Sequence, residues 1–474
     1  MNRAARRILV ASVVLGVAVG GWLMSPRFDQ STGPLAISAT PTPALPNPSQ
    51  TPTAATSQVP ASGAPESAST PPASAVPGPA STPAVTPAPS AKLPPNTPNA
   101  VPWPRRIGSP SATPLLRDAL DARLARLRAK YGIPGMSAAI VFADGSIWRG
   151  TAGDADVATG VQVTPDTSFS VASVSKTFTA ALTLALIEDG RLSLDGAAKG
   201  YLPSLPIDAA ITVRELLDHT SGLRDFYFGA GVDHALLSKP TRVWDPARSL
   251  KYLGKPFAKP GKEWHYSNTN YLVLGMLAEA VGGASLADQL HDRFFAPLGL
   301  DDTFYQQPRK PWPGPVAHGY RFLGTDPKLP AIDLSDGTAI VPFTSVVTAA
   351  GGAGSIATSA SDLVRWAAAL YGGDLLTKDS RDAMVADIAR TAAYDPRIAY
   401  GLGLQSVIVD GRPTLGHSGR FLGARAVVRW LPQERIGIAV LTNQSRTDPN
   451  KIVSSLLKLA FQPQSDCLSC ADIP

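Results

Sequence analysis

A proline-rich stretch limits how much of this 474-residue chain can fold. Between Pro41 and Ala100 the sequence contains 17 prolines, two charged residues and no aromatic residue. Such a composition cannot bury enough apolar surface to offset the conformational entropy of an ordered chain. We therefore expect residues 28–110 to form a disordered linker rich in Pro, Ala, Ser and Thr. In polyproline geometry its proline-rich part could reach about 190 Å, which suits a passive spacer.

The residues before the linker have the pattern of an export signal. Residues 8–24 contain no charged side chain, and they follow Arg3, Arg6 and Arg7. A basic flank before an apolar run is typical of a segment whose positive end stays in the cytoplasm. The run is long for a cleaved signal peptide and short for a relaxed membrane span. Residues 1–27 are therefore expected to be a signal peptide or a signal anchor.

Either alternative predicts an exported protein, periplasmic or otherwise extracytoplasmic. A signal anchor would hold the protein in the inner membrane, so the membrane is an expected partner. Nucleic acid is not an expected partner. The net charge of the chain is +6, and five of these charges lie before residue 107. The remainder is nearly neutral and lacks the basic stripe that phosphate binding needs.

The cysteines of the chain, Cys467 and Cys470, lie in a C-terminal tail over residues 465–474. A lone C-x-x-C offers zinc two ligands of the four it needs, and no strand–helix context favours a redox motif. In an oxidising compartment the two cysteines can pair with each other or with a partner. We therefore expect no metal site and no cofactor.

Hydrophobic periodicity predicts one α+β domain over residues 111–464. Apolar strands are expected near both ends of this domain, with helices between them, so the termini should meet in a single antiparallel sheet. A turn at 143–145 should join the first two strands as a hairpin. The predicted strands are 136–142, 146–150, 404–409, 424–431 and 436–441, and the predicted helices include 115–131, 177–189, 271–282 and 451–461.

Ser173 and Lys176 lie three residues apart at the start of a predicted helix, which places them on one helix face. A serine hydroxyl becomes a good nucleophile when a base takes its proton. A lysine can be that base when neutral, which requires its pKa of about 10.4 to fall by about three pH units. The spacing predicts a nucleophile and its base, and an ordinary N-cap serine is the alternative.

Tyr266 and Asn268 belong to a Tyr-Ser-Asn triplet 93 residues after Ser173. A phenol near a lysine ammonium is easier to ionise, so Tyr266 can act as the general base or share that role. Asn268 can both donate to and accept from a substrate amide. A tyrosine of the hydrophobic core is the alternative interpretation of Tyr266.

His417, Ser418 and Gly419 come next, just before the predicted strand 424–431. A small residue there lets an extended substrate lie against the strand edge, and a backbone N–H can face a developing oxyanion. These three residues are candidates for substrate binding, although a hydrogen-bonded loop histidine is the alternative for His417. The three motifs, which begin at Ser173, Tyr266 and His417, follow one another along one chain, and together they favour an active site over a coincidence.

In this order the motifs resemble the serine β-lactamase and penicillin-binding-protein superfamily. The likeness is greater to the branch that contains class C β-lactamases, related D-alanyl-D-alanine carboxypeptidases and esterases. It covers about residues 116–459 and includes the segments 211–222 and 350–363. The resemblance implies a β-lactamase/transpeptidase-like fold and an acyl-enzyme mechanism.

The resemblance also implies a role for each candidate. Ser173 would attack a carbonyl, and Lys176 with Tyr266 would manage its proton. Asn268 would orient the amide of the acylated substrate. The oxyanion hole would consist of the backbone N–H groups of Ser173 and Arg420. Water would then release the acid.

His417 departs from the superfamily pattern, because many β-lactamases carry the lysine of Lys-Thr-Gly there. A histidine with a pKa near 6.5 is mostly neutral at pH 7, so we expect its charge to change near pH 6.5. Arg420 and Arg425 could restore a charge for a substrate carboxylate, and Arg420 is the candidate; a solvated surface arginine is the alternative. Members of the superfamily that have His-x-Gly at this motif resemble carboxypeptidases, aminopeptidases and esterases more than efficient β-lactamases.

We therefore expect an exported serine hydrolase, preferably a D-Ala-D-Ala-type carboxypeptidase or another wall-related peptidase. Its substrate would be a small molecule or a peptide, with a peptidoglycan stem peptide as one candidate. A carboxylesterase and a β-lactamase of the same fold are alternatives, as is a catalytically inactive wall-binding module. His219 is expected to belong to a structural turn. The sequence has no G-x-S-x-G, P-loop or H-E-x-x-H motif.

Overall fold

The computed structural model describes residues 110–308, 316–322, 331–395 and 399–462. The expected signal segment, the linker up to residue 109 and both cysteines lie outside the described residues. Among the described helices, none alone has the length and apolarity to cross a bilayer. The helices 268–282 and 286–295 meet those criteria of length and composition when they are taken together, and they are bent by 82°.

Strands from both ends of the described chain form the central sheet. The strands are β1 (Gly135–Val141), β2 (Ile147–Asp156), β3 (Val161–Gln162), β4 (Phe169–Ser170), β5 (Phe304–Tyr305), β6 (Tyr320–Phe322), β7 (Ala331–Asp333), β8 (Ile356–Thr358), β9 (Gln405–Val409), β10 (Arg412–Phe421), β11 (Ala424–Leu431) and β12 (Ile436–Thr442). Seven of them pair in the order β3-β2-β1-β12-β11-β10-β9. The contact of β1 with β12, antiparallel with Ala139 opposite Ala439, confirms the predicted α+β sheet.

Helices cover both faces of this sheet. They are α1 (Pro114–Tyr131), α2 (Ser175–Glu188), α3 (Ala198–Tyr201), α4 (Val213–Leu217), α5 (Val232–Leu237), α6 (Pro246–Leu250), α7 (Asn268–Gly282), α8 (Leu286–Leu290), α9 (Thr344–Ala350), α10 (Ala360–Ala367), α11 (Lys378–Ala392) and α12 (Asn450–Ala460). β1 and β12 are buried at every residue because both of their faces are covered.

The core is divided by the sheet into two apolar clusters. The first contains residues of α2, α7 and α10 together with Ala439 and Leu441 of β12. The second contains the leucine stripe of α1 and the apolar side of α12, packed on Ile438 and Val440 of the same strand. Neighbouring β12 residues alternate between the clusters because successive side chains of a strand point to opposite faces.

Local sequence signals fix several element boundaries. The side chain of Thr113 accepts a hydrogen bond from the N–H of Leu116, Pro114 occupies the first turn, and Gly132 ends α1 in the left-handed conformation. The predicted hairpin is present, because the N–H of Gly145 donates to the Phe142 carbonyl and Val141 lies opposite Ile147. The α1 periodicity and the hairpin turn were thus sufficient to predict this end of the sheet.

The sequence analysis missed β10, and this strand carries the His417 motif. The motif was expected just before the strand 424–431, whereas it lies within a strand of its own, paired with β11. The segment contains Pro413, Gly416 and Gly419, residue types that are depleted in strands. Its position between two paired strands, rather than its own propensity, holds it in the extended conformation.

Candidate active site

Ser173 lies where the chain changes from strand β4 to helix α2. It was expected to open the helix, but it occupies a short 3-10 turn, Ala172–Val174, and α2 begins at Ser175. Ala172 has a φ angle of 47°, a left-handed conformation that is unfavourable for a residue with a Cβ atom. This turn, held between β4 and α2, presents Ser173 to the cleft.

Lys176 lies one turn after Ser173 and is completely buried. Its Nζ atom lies 3.1 Å from Ser173 Oγ, 2.7 Å from Asn268 Oδ1 and 2.9 Å from the Ala353 carbonyl oxygen. Burial lowers the pKa of Lys176 from 10.5 to about 7, and the nearby Asp225 carboxylate opposes this decrease. Close to neutral pH a large fraction of the lysine is therefore uncharged.

The three neighbours of Lys176 fix the direction of proton transfer. The oxygens of Asn268 and Ala353 can only accept hydrogen bonds, so both require an N–H of the lysine. A neutral amine has two N–H groups and one lone pair. When both N–H groups are used in this way, the lone pair is left for the Ser173 hydroxyl. The neutral form of Lys176 is thereby oriented as a base towards the nucleophile.

Tyr266 completes this group from the other side. Its ring centroid lies 5.0 Å from Lys176 Nζ, and its phenol interacts with the Ser173 side chain. The expectation that Tyr266 ionises easily is wrong, because burial raises the pKa of its phenol well above 10. The lysine loses its charge first, and Tyr266 stays protonated at neutral pH. It is placed to donate a proton rather than to remove one.

Asp225 is a residue of the site that the sequence analysis missed. Its Oδ2 atom accepts hydrogen bonds from the backbone N–H and the side-chain Nδ2 of Asn268, at 3.1 and 2.7 Å. This contact orients the Asn268 amide so that its Oδ1 atom faces Lys176. Burial raises the pKa of Asp225. A lone aspartate in a loop has no spacing relation to the other motifs, so no sequence pattern indicated it.

Asn268 was expected to contact the substrate amide, and its side chain is largely used within the protein. Its Oδ1 atom accepts from Lys176 and one of its Nδ2 hydrogens is donated to Asp225. One N–H of the amide remains for a substrate. Asn268 is therefore placed both to position the lysine and to offer a single donor to the cleft.

His219 supports the Tyr266–Asn268 triplet, in agreement with the structural turn expected for it. Its Nδ1 atom accepts from the Ser267 N–H at 3.2 Å and from Asn270 Nδ2 at 3.1 Å. Its ring packs against that of Tyr266, with centroids 4.3 Å apart. Burial lowers the pKa of His219 well below 6.5, so it holds the triplet as a neutral ring.

His417 is also a neutral, fully buried histidine. Its Nδ1 atom lies 2.7 Å from the Ser418 carbonyl oxygen, which can only accept, so Nδ1 carries the hydrogen. Its Nε2 atom then accepts from the Tyr400 hydroxyl at 3.0 Å. Burial lowers the pKa of His417 well below 6.5, with a further contribution from Lys176. The expected change of charge near pH 6.5 is therefore wrong, because burial disfavours the charged imidazolium.

Gly419 brings β10 against the nucleophile. A Cβ atom at this position would lie 1.9 Å from the Val171 carbonyl oxygen and 3.1 Å from the Ser173 nitrogen. Only a glycine lets the strand approach this closely. The backbone amides of Ser173 and of Arg420, the residue after Gly419, therefore lie on directly contacting segments, which is the arrangement an oxyanion hole requires.

The edge of β10 beside Ser173 can receive an extended substrate. β9 pairs with residues 412–416 of β10. Within the described residues, no strand pairs with that same edge along residues 417–421. The Ser418 N–H donates to Gln405 Oε1 at 3.1 Å and the Ser418 carbonyl lies 2.7 Å from His417 Nδ1, so the backbone groups left for a peptide in extended conformation lie beyond Ser418.

Three arginines lie on the Ser418 face of this strand pair. Arg420 lies opposite Arg425, and both are partly buried with no ion pair among the described residues. Burial and the neighbouring Arg425 lower the pKa of Arg420 to about 10, so it stays charged. Arg429 is fully buried, and its Nη2 atom donates to Ser418 Oγ at 2.7 Å. Positive charge near the motif therefore comes from arginines and not from His417.

A separate group on the surface has the composition of a metal site. Ligand atoms of Asp156, His318 and Asp333 lie within 4.8 Å of one another. His318 Nδ1 is 3.1 Å from Asp333 and 3.7 Å from Asp156. The hydrogen bond with Asp333 raises the pKa of His318, so these contacts act as ion pairs. Sequence spacing did not reveal this group because its members come from three distant segments.

Comparisons with known proteins identify the family of this chain. The Beta-lactamase family model matches residues 120–460. Penicillin-binding protein 4 of Amycolatopsis lactamdurans is 31% identical over 338 residues, which are 68% of this chain and 84% of that protein. A D-aminopeptidase of Brucella anthropi is 28% identical over 337 residues, covering 69% of this chain but only 59% of its own length.

A solved structure shows the same fold. The D-stereospecific amidohydrolase from Streptomyces sp. superposes with a TM-score of 0.60 at 27% identity, covering 72% of this chain and 97% of that one. Its fold accounts for the sheet and the helical middle of this chain. The chain therefore belongs to the Beta-lactamase family and is a serine hydrolase with the β-lactamase/transpeptidase-like fold.

Proposed function

We propose that this serine hydrolase is exported and cleaves amide bonds of peptides that contain D-amino acids, as a D-Ala-D-Ala-type carboxypeptidase or another wall-related peptidase. The observation that carries the chemical part is the contact of Ser173 with a buried Lys176 whose pKa is about 7. Export is supported by the apolar run at residues 8–24 behind three arginines.

Acylation begins when Ser173 Oγ attacks the substrate carbonyl and its proton moves to the lone pair of Lys176. The negative charge on the carbonyl oxygen is stabilised by the backbone N–H groups of Ser173 and Arg420. As the C–N bond breaks, the protonated phenol of Tyr266 supplies a proton to the departing amine. The proton on Lys176 then passes to the Tyr266 phenolate, directly or through a water molecule, because the esterified Ser173 oxygen no longer carries a hydrogen; this restores the neutral lysine and the phenol.

Deacylation uses the same groups in the reverse direction. A water molecule attacks the ester carbonyl, and neutral Lys176 accepts its proton. The bond between Ser173 Oγ and the acyl carbon breaks, and Oγ regains a hydrogen from the same relay. The products are the free acid and the resting serine, so no co-reactant other than water is needed.

The positive charge of Arg420 and Arg425 supports a substrate that ends in a carboxylate. Arg420 follows Gly419 on β10 and lies opposite Arg425 of β11. Asp448 interacts electrostatically with both, but neither forms an ion pair within the described residues, so a partly buried arginine here gains from an anionic ligand. A peptide bound along β10 would bring its C-terminal carboxylate to these arginines.

A comparison of substrates tests the proposal. We expect a diacetyl-Lys-D-Ala-D-Ala peptide to be hydrolysed with a higher kcat/KM than nitrocefin or a p-nitrophenyl ester. Arg420→Gln should raise KM for the carboxylate-bearing peptide about tenfold and leave the ester unaffected. Arg149→Gln on β2, which three strands separate from β10, is the matched control. The same peptide with its C-terminal carboxylate converted to an amide is a further substrate. Equal turnover of the two peptides would contradict the preference for a carboxylate.

A D-aminopeptidase or D-amino acid amidase activity is the second candidate. It is favoured by the relative named D-aminopeptidase and by the D-stereospecific amidohydrolase structure. Such an enzyme requires a free amine on the substrate, whereas a carboxypeptidase requires a free carboxylate. Hydrolysis of D-alanyl-p-nitroanilide, which has a free amine and no carboxylate, would indicate the aminopeptidase, and N-acetylation of this compound should abolish the reaction.

A further inference from the structure

A basic groove lies on the side of the sheet opposite the active site. It runs between α1 and α12 and encloses about 470 Å³. Five of its lining residues are cations and none is an acid: Arg123, Arg126, Lys130, Lys451 and Lys458. The near-neutral charge of the folded part led to the expectation that it has no basic stripe. The structure corrects this for one face, because α1 and α12 concentrate their cations on a shared surface.

Most of this charge is available to a ligand. Arg126, Lys130 and Lys451 are exposed and form no ion pair within the described residues. Lys458 is 3.5 Å from Asp410, which also accepts from Ser454. Asp410 offsets the charge of Lys458, whereas the exposed Arg126, Lys130 and Lys451 leave the surface of the groove positive.

The floor of the groove is apolar. It is formed by Leu127 and Leu459, which belong to the core beneath, and Tyr131 lies at one end. A phenol combines an apolar ring with a polar tip and favours the boundary between water and lipid. In a phospholipid layer the anionic phosphates lie above the apolar acyl chains. A surface with cations above an apolar floor, and a tyrosine beside them, is complementary to this arrangement.

We propose that this groove docks the domain onto an anionic phospholipid surface. Charge complementarity favours this occupant, and so does the path of the chain. The described residues begin at Pro110, immediately before α1, and the apolar run at residues 8–24 is expected to bring the preceding chain to the membrane. The groove therefore lies on the helix to which the membrane tether connects. This inference is independent of the reaction catalysed at Ser173.

Docking in this way orients the active site outward. The helices of the groove pack on the second apolar cluster, whereas the helix that carries Lys176 packs on the first, across the sheet. A domain held to lipid through α1 and α12 would present Ser173 away from the membrane. The linker would then limit how far the domain can move from the membrane, and the groove would fix the orientation of the domain on it.

Photocrosslinking of the full chain in nanodiscs tests the proposal. The discs contain phosphatidylglycerol with a photoreactive head group, and labelled peptides are quantified by mass spectrometry. We expect labels in the peptides 123–131 and 451–462, falling strongly at about 1 M NaCl, where charges are screened beyond about 3 Å. Each basic residue near an anionic surface strengthens binding about fivefold, so Arg126→Gln/Lys130→Gln/Lys451→Gln should reduce labelling at least tenfold, as a rough lower bound for a tethered domain.

Lys239→Gln/Lys251→Gln/Lys255→Gln is the matched control, because it removes three cations outside the groove and should change labelling less than twofold, as a rough bound. Labelling of Ser173 by a fluorophosphonate checks that both variants are folded, and the salt series on the unmodified chain needs no variant. Labels confined to residues before 110, equal labelling in zwitterionic discs or insensitivity to salt would overturn the proposal. Full competition by inorganic phosphate would assign the groove to a soluble anion instead.

Discussion

The Nζ atom of Lys176 lies 3.1 Å from the Oγ atom of Ser173, while its two shorter contacts are to oxygens that can only accept. This arrangement makes the protonation state of one lysine decisive. In the ammonium form all three hydrogens are donated and the serine has no base. In the neutral form the lone pair faces the serine hydroxyl.

The rate of acylation should therefore depend on the titration of Lys176. We expect kcat/KM to rise about tenfold per pH unit below pH 7 and to level off above it, since the pKa of Lys176 is about 7 and the neutral form is the active one. Stopped-flow labelling of Ser173 with a fluorophosphonate measures this step directly. A profile that is flat from pH 5.5 to 8.5 would contradict the role of a neutral lysine.

The same titration should appear in the stability of the protein. Because the lysine pKa is about 7 in the folded state and near 10.5 in the unfolded chain, the unfolded state binds more protons between these values. The free energy of unfolding should therefore increase with pH from about 7 to 10, by about 1–4 kcal/mol. Urea denaturation of the wild type and of Lys176→Met across this range isolates the effect, which should be missing in the variant.

Asp225 should act as a positioning residue, through Asn268. Asp225→Asn removes the negative charge that raises the pKa of Lys176, so the acid limb of the pH profile should move to lower pH. Loss of the Asn268 orientation should also lower kcat about ten- to hundredfold. Asp233→Asn, a partly buried acid on α5, is the control. A fall in activity without a displaced pH limb would indicate a purely structural role.

Gly419 should be intolerant of any side chain. The Cβ atom of Gly419→Ala would collide with the Val171 carbonyl, so β10 must move away from Ser173 and the two candidate oxyanion donors separate. A displacement of about 1 Å costs about a hundredfold in rate, which fluorophosphonate labelling would detect. Gly200→Ala, whose Cβ would meet nothing within 4 Å, is the matched control and should retain the wild-type rate.

The sequence was sufficient to predict the sheet and the gathering of the motifs, but not their electrostatics. Apolar strands at both ends of the domain have few ways to be buried other than by pairing, which is how β1 meets β12. The pKa shift of Tyr266 was predicted in the wrong direction and that of His417 was not predicted, for one reason. Both depend on burial, which is a property of the packed structure and has no local sequence signal.

Asp225 and the basic groove show a second limit of sequence analysis. Asp225 acts on Asn268 from 43 residues away, and a single acid in a loop gives no periodic signal. The groove combines cations of α1 with cations of α12, more than 300 residues apart, so the net charge of the domain concealed it. Contacts between distant segments become visible only when the sheet brings the chain ends together.

His219 should stabilise the segment that carries Tyr266. In His219→Ala the Ser267 N–H and the Asn270 amide lose their acceptor inside the protein, and each such loss costs about 1–3 kcal/mol. We expect the free energy of unfolding to fall by about 2–4 kcal/mol and the acylation rate to fall with it. Urea denaturation and fluorophosphonate labelling measure the two effects.

The variant His219→Asn tests whether the acceptor, and not the ring, is what matters. Asparagine tolerates the left-handed backbone found at this position, where φ is 68°, and its side-chain oxygen can accept the same hydrogen bonds. It should recover at least half of the stability lost in His219→Ala, a rough estimate that assigns the larger share to hydrogen bonding. His291→Ala, an exposed histidine beside Asp292, should cost less than about 1 kcal/mol. No recovery in His219→Asn would show that ring packing against Tyr266 holds the segment instead.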